Sequence, residues 1–150
     1  MRRAGTILAA MAALALTAPI AAAVTAESTT IDVRSNFDGS PGTFTTDSDL
    51  VCASGTTTDS TIIAGREVVL TFHNLKTFIC ADGTGSFTLR IQARVRPCES
   101  TTTGVWSVAW GAGRYEDLRG SGSLVGTYFP SDACSAVGID DHLTGQLLLP

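Results

Sequence analysis

The chain has 150 residues, ten basic and fourteen acidic, and a formal net charge of −4. Setting Arg2 and Arg3 aside with an N-terminal leader leaves eight basic against fourteen acidic residues, a net charge of −6. That balance argues against nucleic acid and anionic membranes as partners, because phosphate binding needs clustered lysine and arginine.

Arg2 and Arg3 are followed by "ILAAMAALALTAPIAAA", a positive start and an apolar stretch ending in small residues, which is the pattern of an export leader. Processing is expected after Ala23 or after Ala26, giving a leader of residues 1–26 and a single secreted domain of residues 27–150. The competing reading is an uncleaved anchor, since Ile7 to Val24 approaches the ~18–20 residues a spanning helix needs. The alanine content, and Pro19 followed by small residues, favour processing, so no stable membrane anchor is expected afterwards. A mature chain of roughly 125 residues is one domain and can bury about two-thirds of its unfolded surface.

All four cysteines, Cys52, Cys80, Cys98 and Cys134, fall after the leader. An even number in an exported chain reads as two disulfides, and three connectivities are possible. We favour Cys52–Cys80 with Cys98–Cys134, which closes two separate loops of about 30 and about 40 residues, each contributing on the order of 3–4 kcal/mol before strain. No C-x-x-C occurs and both histidines are isolated, so zinc is not expected.

In chain order, "TTIDVRSNF" is an early strand and "DLVCASGTTTD" a strand running into a polar turn. The Ser/Thr-rich pieces at 54–61 and 100–103 read as loops. "EVVLTFHNLKTFIC" supplies one or two strands, with a break near His73-Asn74. Asp82-Gly83 marks a hairpin. In "SFTLRIQARVR", residues 86–96, Phe87, Leu89, Ile91, Ala93 and Val95 alternate with polar residues, a period-two strand with one apolar face that Pro97 ends. "TGVWSVAW", "GSLVGTYF" and "HLTGQLLL" complete the series. No helical stripe follows the leader. Seven or eight short strands predict an all-β sandwich or barrel. Around Val68–Phe72, Val105–Trp110 and Leu124–Phe129 apolar residues occupy both parities, as in strands covered on both faces. A partner subunit is the simplest cover for the second face.

"WGAGRYEDLRGSGSLVGTY", residues 110–128, carries five glycines. A dinucleotide site wants G-x-G-x-x-G opening a helix, and a P-loop wants Lys-Ser or Lys-Thr. Neither is present, and Glu116 stands where the third glycine would be. Gly120, Gly122 and Gly126 share one parity of a strand, where they would let a large ring such as Trp106 or Trp110 lie across the backbone.

"WSVAWGAGRYEDLRGSGSLVGTY" resembles the barrel-closing segment of the allene oxide cyclase-like and dirigent-like β-barrels: an apolar strand, Gly-x-Gly-x-(Tyr/Phe), a polar turn, then a second glycine series. "CADGTGSFTLRIQARV" and "GIDDHLTGQL" resemble secreted bacterial members of that superfamily, and the likeness spans roughly residues 49–149. It implies an antiparallel eight-stranded, calycin-like β-barrel with an internal cavity, often a trimer, with no metal or organic cofactor. Relatives steer ring closure or radical coupling of small hydrophobic molecules. No motif here matches the cyclase pocket, and the extra cysteine pair departs from the plant pattern, so no functional residue carries over.

The polar candidates form two clusters. Arg114, Tyr115, Glu116 and Asp117 sit in the turn after the tryptophan strand, with Tyr115 packing inward. Asp140, Asp141 and His142 precede the last strand, and alternation sends Asp141 to the face opposite the other two. With Trp106 and Trp110, the candidate pocket set is Tyr115, Glu116, Trp106, Trp110, Asp141 and His142. No D-x-D-x-D-G calcium loop and no G-x-S-x-G elbow occurs. Arg90, Arg94 and Arg96 share one face, read as solvated. The expected function is binding of a small apolar molecule or a protein partner without turnover. The alternatives are a cofactor-independent cyclase or isomerase acting in the cavity, and a structural cell-envelope protein. A filled lumen would remove both small-molecule readings.

Overall fold

A computed structural model describes residues 25–150, apart from residues 67 and 68 and the side chains of 25, 65 and 66. The expected leader falls almost wholly outside the described residues. Eight strands follow in order: β1 (Thr25–Asn36), β2 (Gly42–Thr46), β3 (Ser54–Arg66), β4 (Val69–Cys80), β5 (Gly85–Val95), β6 (Thr101–Gly113), β7 (Arg119–Phe129) and β8 (Gly138–Leu149). Each pairs antiparallel with its sequence neighbour, and β1 closes the cylinder on β8 from Thr25↔Leu149 to Asn36↔Gly138. The result is an all-β, eight-stranded antiparallel barrel without a free edge.

The alternation of "SFTLRIQARV" is the clearest expression of the fold: Phe87, Leu89, Ile91, Ala93 and Val95 are buried, while Arg90, Gln92 and Arg94 are exposed. Four of the sequence expectations are corrected. Residues 54–61 are not a loop but the first part of β3, and 101–103 open β6. Threonine is β-branched and suits a pleated ladder, so a Thr-rich run is not by itself a loop. The "DLVC" piece is not a strand: residues 47–53 are a connection whose Leu50, Val51 and Cys52 are buried in the core cluster. No break occurs at His73-Asn74, and β4 runs unbroken through both. The short strand β2, not foreseen, pairs with β1 and β3.

The two ends of the barrel differ. One is filled by aromatic rings: Phe78 stacks on Phe87 at 4.7 Å, Phe44 meets Phe78 edge-on at 5.1 Å, and Tyr115 tucks in from the β6–β7 connection at 5.9 Å from Phe87. Cys52–Cys80 ties the β2–β3 connection to the last residue of β4 at this end. At the other end Cys98–Cys134 joins the β5–β6 connection to the β7–β8 connection. The favoured connectivity is the observed one, and two disulfides fit an extracellular or otherwise oxidising location.

The glycines have a steric role. A Cβ on Gly122 would stand 2.7 Å from Trp106 Nε1, and one on Gly145 2.6 Å from Trp106 Cζ2. The indole therefore lies across two bare stretches of backbone on β7 and β8. Trp110 does not join it. Between Thr88 and Leu89 the register steps by one residue on β5 and two on β6, a bulge that turns Trp110 to the outer face, where it is 51% exposed. The doubly apolar strands also leave Val105 and Val125 exposed on the outside of the single chain.

Candidate functional site

The open half of the lumen is built around the chain's single lysine. On β4, Phe72, Asn74, Lys76 and Phe78 share the inward parity, so Lys76 is carried into the barrel, 2% exposed. An ammonium at that depth persists only if it is paired. Three other strands, the adjacent β3 and, across the barrel, β1 and β8, supply the partners. Lys76 Nζ donates to Ser35 Oγ of β1 at 2.7 Å and to Asp59 of β3 at 3.0–3.1 Å, touching both carboxylate oxygens. Asp141 Oδ2 of β8 stands farther off, at 3.4 Å. Asn74 Nδ2 donates to the other side of Asp59 and in turn accepts from Thr61 Oγ1 at 3.2 Å. The chain of contacts crosses four of the eight strands.

Above this cluster lies a cavity of about 340 Å³. Ile63, Phe72, Ile91, Ala93, Leu124 and Ile139 form its apolar walls, and Lys76, Asp59, Asn74, Asp141 and Tyr128 its polar side. Phe37 and Ile63 line it and are 55% and 60% exposed, so it opens at the end held by Cys98–Cys134. The volume is at the small end of the range for small-molecule pockets, and the mix of apolar walls with a few converging polar groups is their usual lining.

Electrostatics at the polar side are unusual for a carboxylate. Burial pushes the Asp141 carboxyl above its ordinary range; Lys76 pulls it down, and the charges of Asp59 and Asp140 push it up again, with the net shift upward. Burial also raises the Tyr128 phenol, and the Asp141 charge raises it further. The site thus holds an acid that keeps its proton more readily than a surface aspartate, beside a phenol that is reluctant to ionise. Tyr128 can donate a hydrogen bond and the Asp141 carboxyl can accept one in either protonation state, and shifted groups of this kind beside a cavity are the setting in which acid–base groups act.

The sequence candidates are dispersed. Asp140, Asp141 and His142 lie within β8 rather than before the last strand; Asp141 lines the cavity, on the face opposite Asp140 and His142 as alternation required, and those two face out. His142 Nδ1 lies 2.6 Å from Asp32, and Arg34 pairs with Asp140 at 3.0 Å, both on the exposed surface. Trp106 is inside the barrel but not on the cavity wall, its Nε1 donating to the carbonyls of Ser123 and Thr144. Tyr115 belongs to the filled end, its hydroxyl 2.8 Å from Thr84 Oγ1, and Glu116 is exposed in the adjoining turn. Trp110 is on the outer face. Lys76, Asp59, Asn74, Ser35, Thr61 and Tyr128 were not singled out from the sequence. The signal for Lys76 was available: it is the only lysine and shares parity with Phe72 and Phe78, but an expected break at His73-Asn74 hid the alternation.

Among the described residues no group of three or more His, Cys, Asp and Glu side chains is arranged to hold a metal ion. No protein-family model, curated protein or solved structure matches the chain.

Proposed function

We propose that this is an exported barrel protein whose lumen binds a small, mostly apolar molecule with one polar end. A single observation carries the reading. The cavity of about 340 Å³ is walled largely by aliphatic and aromatic side chains, and its charged groups are gathered in the Lys76–Asp59–Asp141 cluster. A barrel built only for rigidity has no reason to keep that space empty or to bury its sole lysine beside it. The test uses N-phenyl-1-naphthylamine, a neutral dye that fluoresces in apolar surroundings. The native protein should enhance its emission, and Ala93→Phe, which fills the cavity from β5, should abolish the enhancement while the melting temperature is kept. Equal enhancement by both proteins would place the dye elsewhere and remove the reading.

A second reading is cofactor-independent catalysis of a ring closure or isomerisation. The observation that favours it is the upward shift of the buried Asp141 carboxyl, on the same cavity wall as Tyr128. Asp141 would then lend and recover a proton while the walls hold the substrate folded. Turnover that Asp141→Asn removes, with binding retained, supports catalysis; binding without turnover by the native protein supports the first reading. Association of copies through the exposed Val105, Trp110 and Val125 is in keeping with the family resemblance and is tested by sedimentation velocity.

A further inference from the structure

The hydrogen-bond inventory of the lumen narrows the ligand class, an inference that rests on the binding reading above. An ammonium has three hydrogens. Lys76 gives hydrogen bonds to Ser35 Oγ and Asp59 and stands 3.4 Å from Asp141 Oδ2 as an ion pair, so three groups of the chain already surround the ammonium that a ligand carboxylate would seek. The charge count points the same way. One ammonium faces two carboxyl groups, and whether or not Asp141 holds a proton the cluster carries no net positive charge. A ligand carboxylate entering beside Asp59 and Asp141 would meet like charge in a low-dielectric space, where repulsion is strong.

Asp141 is the complementary half of the argument. It is 7% exposed and lies on the cavity wall, and it pairs with the Lys76 ammonium at 3.4 Å. The same ammonium holds Ser35 and Asp59 at 2.7–3.1 Å. A buried carboxyl group with so loose a partner gains from any donor brought to it. Tyr128 on the same wall offers a phenolic oxygen that can give or accept.

We propose that the lumen selects apolar molecules ending in a hydroxyl, alcohols or phenols, which donate to Asp141, and excludes carboxylates of the same length. Calorimetric titration of the full secreted chain with octanol and with octanoate, at a pH where octanoate is ionised, tests this directly. Octanol should bind at least about tenfold more tightly than octanoate. Asp141→Asn should bring octanoate closer to octanol by replacing a carboxyl that repels it when ionised with an amide that can donate to it, and Asp59→Asn should do the same should the first variant not fold. Octanoate binding as tightly as octanol to the native protein, with the naphthylamine dye still bound, would overturn the selectivity and leave the binding reading standing. Discrimination unchanged in both variants would overturn the role of the carboxylates. Failure of octanol, octanoate and dye alike would overturn both readings.

Discussion

Lys76 Nζ stands 3.4 Å from Asp141 Oδ2 inside the barrel, with Asp59 bridging on the other side and almost no water reaching the ammonium. Breaking such a cluster by removing one member leaves buried charge without a partner. Lys76→Met is therefore expected to destabilise the fold by about 3–5 kcal/mol in urea denaturation. Combining it with Asp141→Asn should recover part of that loss, since one of the two stranded carboxylates is gone. A Lys76→Met protein as stable as the native one would mean that the cluster is solvated after all.

The upward shift of Asp141 fixes the sign of a pH effect. A carboxyl group whose folded value lies above its unfolded value of about 3.9 binds more protons in the native state across that interval. Its stabilising contribution is complete below the unfolded value and is lost as pH rises through the folded one. Asp141→Asn does not titrate there. Relative to this variant, native stability should fall as pH climbs above about 4 and recover on acidification. Asp38, held down by Ser40, Asp47 by Thr30, Asp82 by Thr84 and Asp132 by Ser135 and Cys134, act oppositely: their contributions are present above the unfolded value and lost below the folded one. They are common to both proteins, so the difference curve isolates Asp141. Native stability that falls relative to the variant on acidification would contradict the assignment.

Gly122 and Gly145 give the Trp106 indole its seat. A methyl group on Gly122 would press on Trp106 Nε1 and on Gly145 Cα, both at 2.7 Å, and on the Thr144 carbonyl. Gly122→Ala is expected to cost about 1–3 kcal/mol, the usual scale of overpacking. Thermal unfolding followed by far-ultraviolet circular dichroism measures it. An unchanged midpoint would mean that the two strands separate at no cost.

These elements differ in how plainly the sequence announces them. The β5 alternation, the Asp82-Gly83 hairpin and the glycine parity of β7 are each direct consequences of strand geometry, and all three are seen in the barrel. Counting from Asp140 sets Asp141 on the opposite face of the strand, and the structure makes that face the inner one. What escaped has physical reasons. The run "SGTTTDSTIIAGR" of β3 lacks an apolar face because part of its inner side meets the polar cluster, so Asp59 and Thr61 looked like loop residues. Trp110 was misplaced because a bulge inverts parity without leaving a mark in composition. The meeting of Lys76 with Ser35, Asp59 and Asp141 depends on four registers at once, and no single stretch encodes it.

The two disulfides should prove separable in effect. Cys52→Ser with Cys80→Ser loosens the filled end, and Cys98→Ser with Cys134→Ser loosens the connections around the cavity mouth. Each pair is expected to lower stability by about 2–4 kcal/mol, but only the second should also weaken binding of the naphthylamine dye. Peptide mapping of the unreduced protein checks the connectivity independently: a peptide joining Cys52 to Cys98 or Cys134 would refute it.

The most direct measurement is a titration of isotopically labelled protein with octanol, followed by amide and methyl chemical shifts. Occupation of the lumen beside the lysine–aspartate cluster should concentrate the shifts on Ile91, Ala93, Leu124, Tyr128 and Asp141, with the outer face unmoved. Shifts confined to Val105, Trp110 and Val125, or none at saturating octanol, would show that the cavity is not a ligand site.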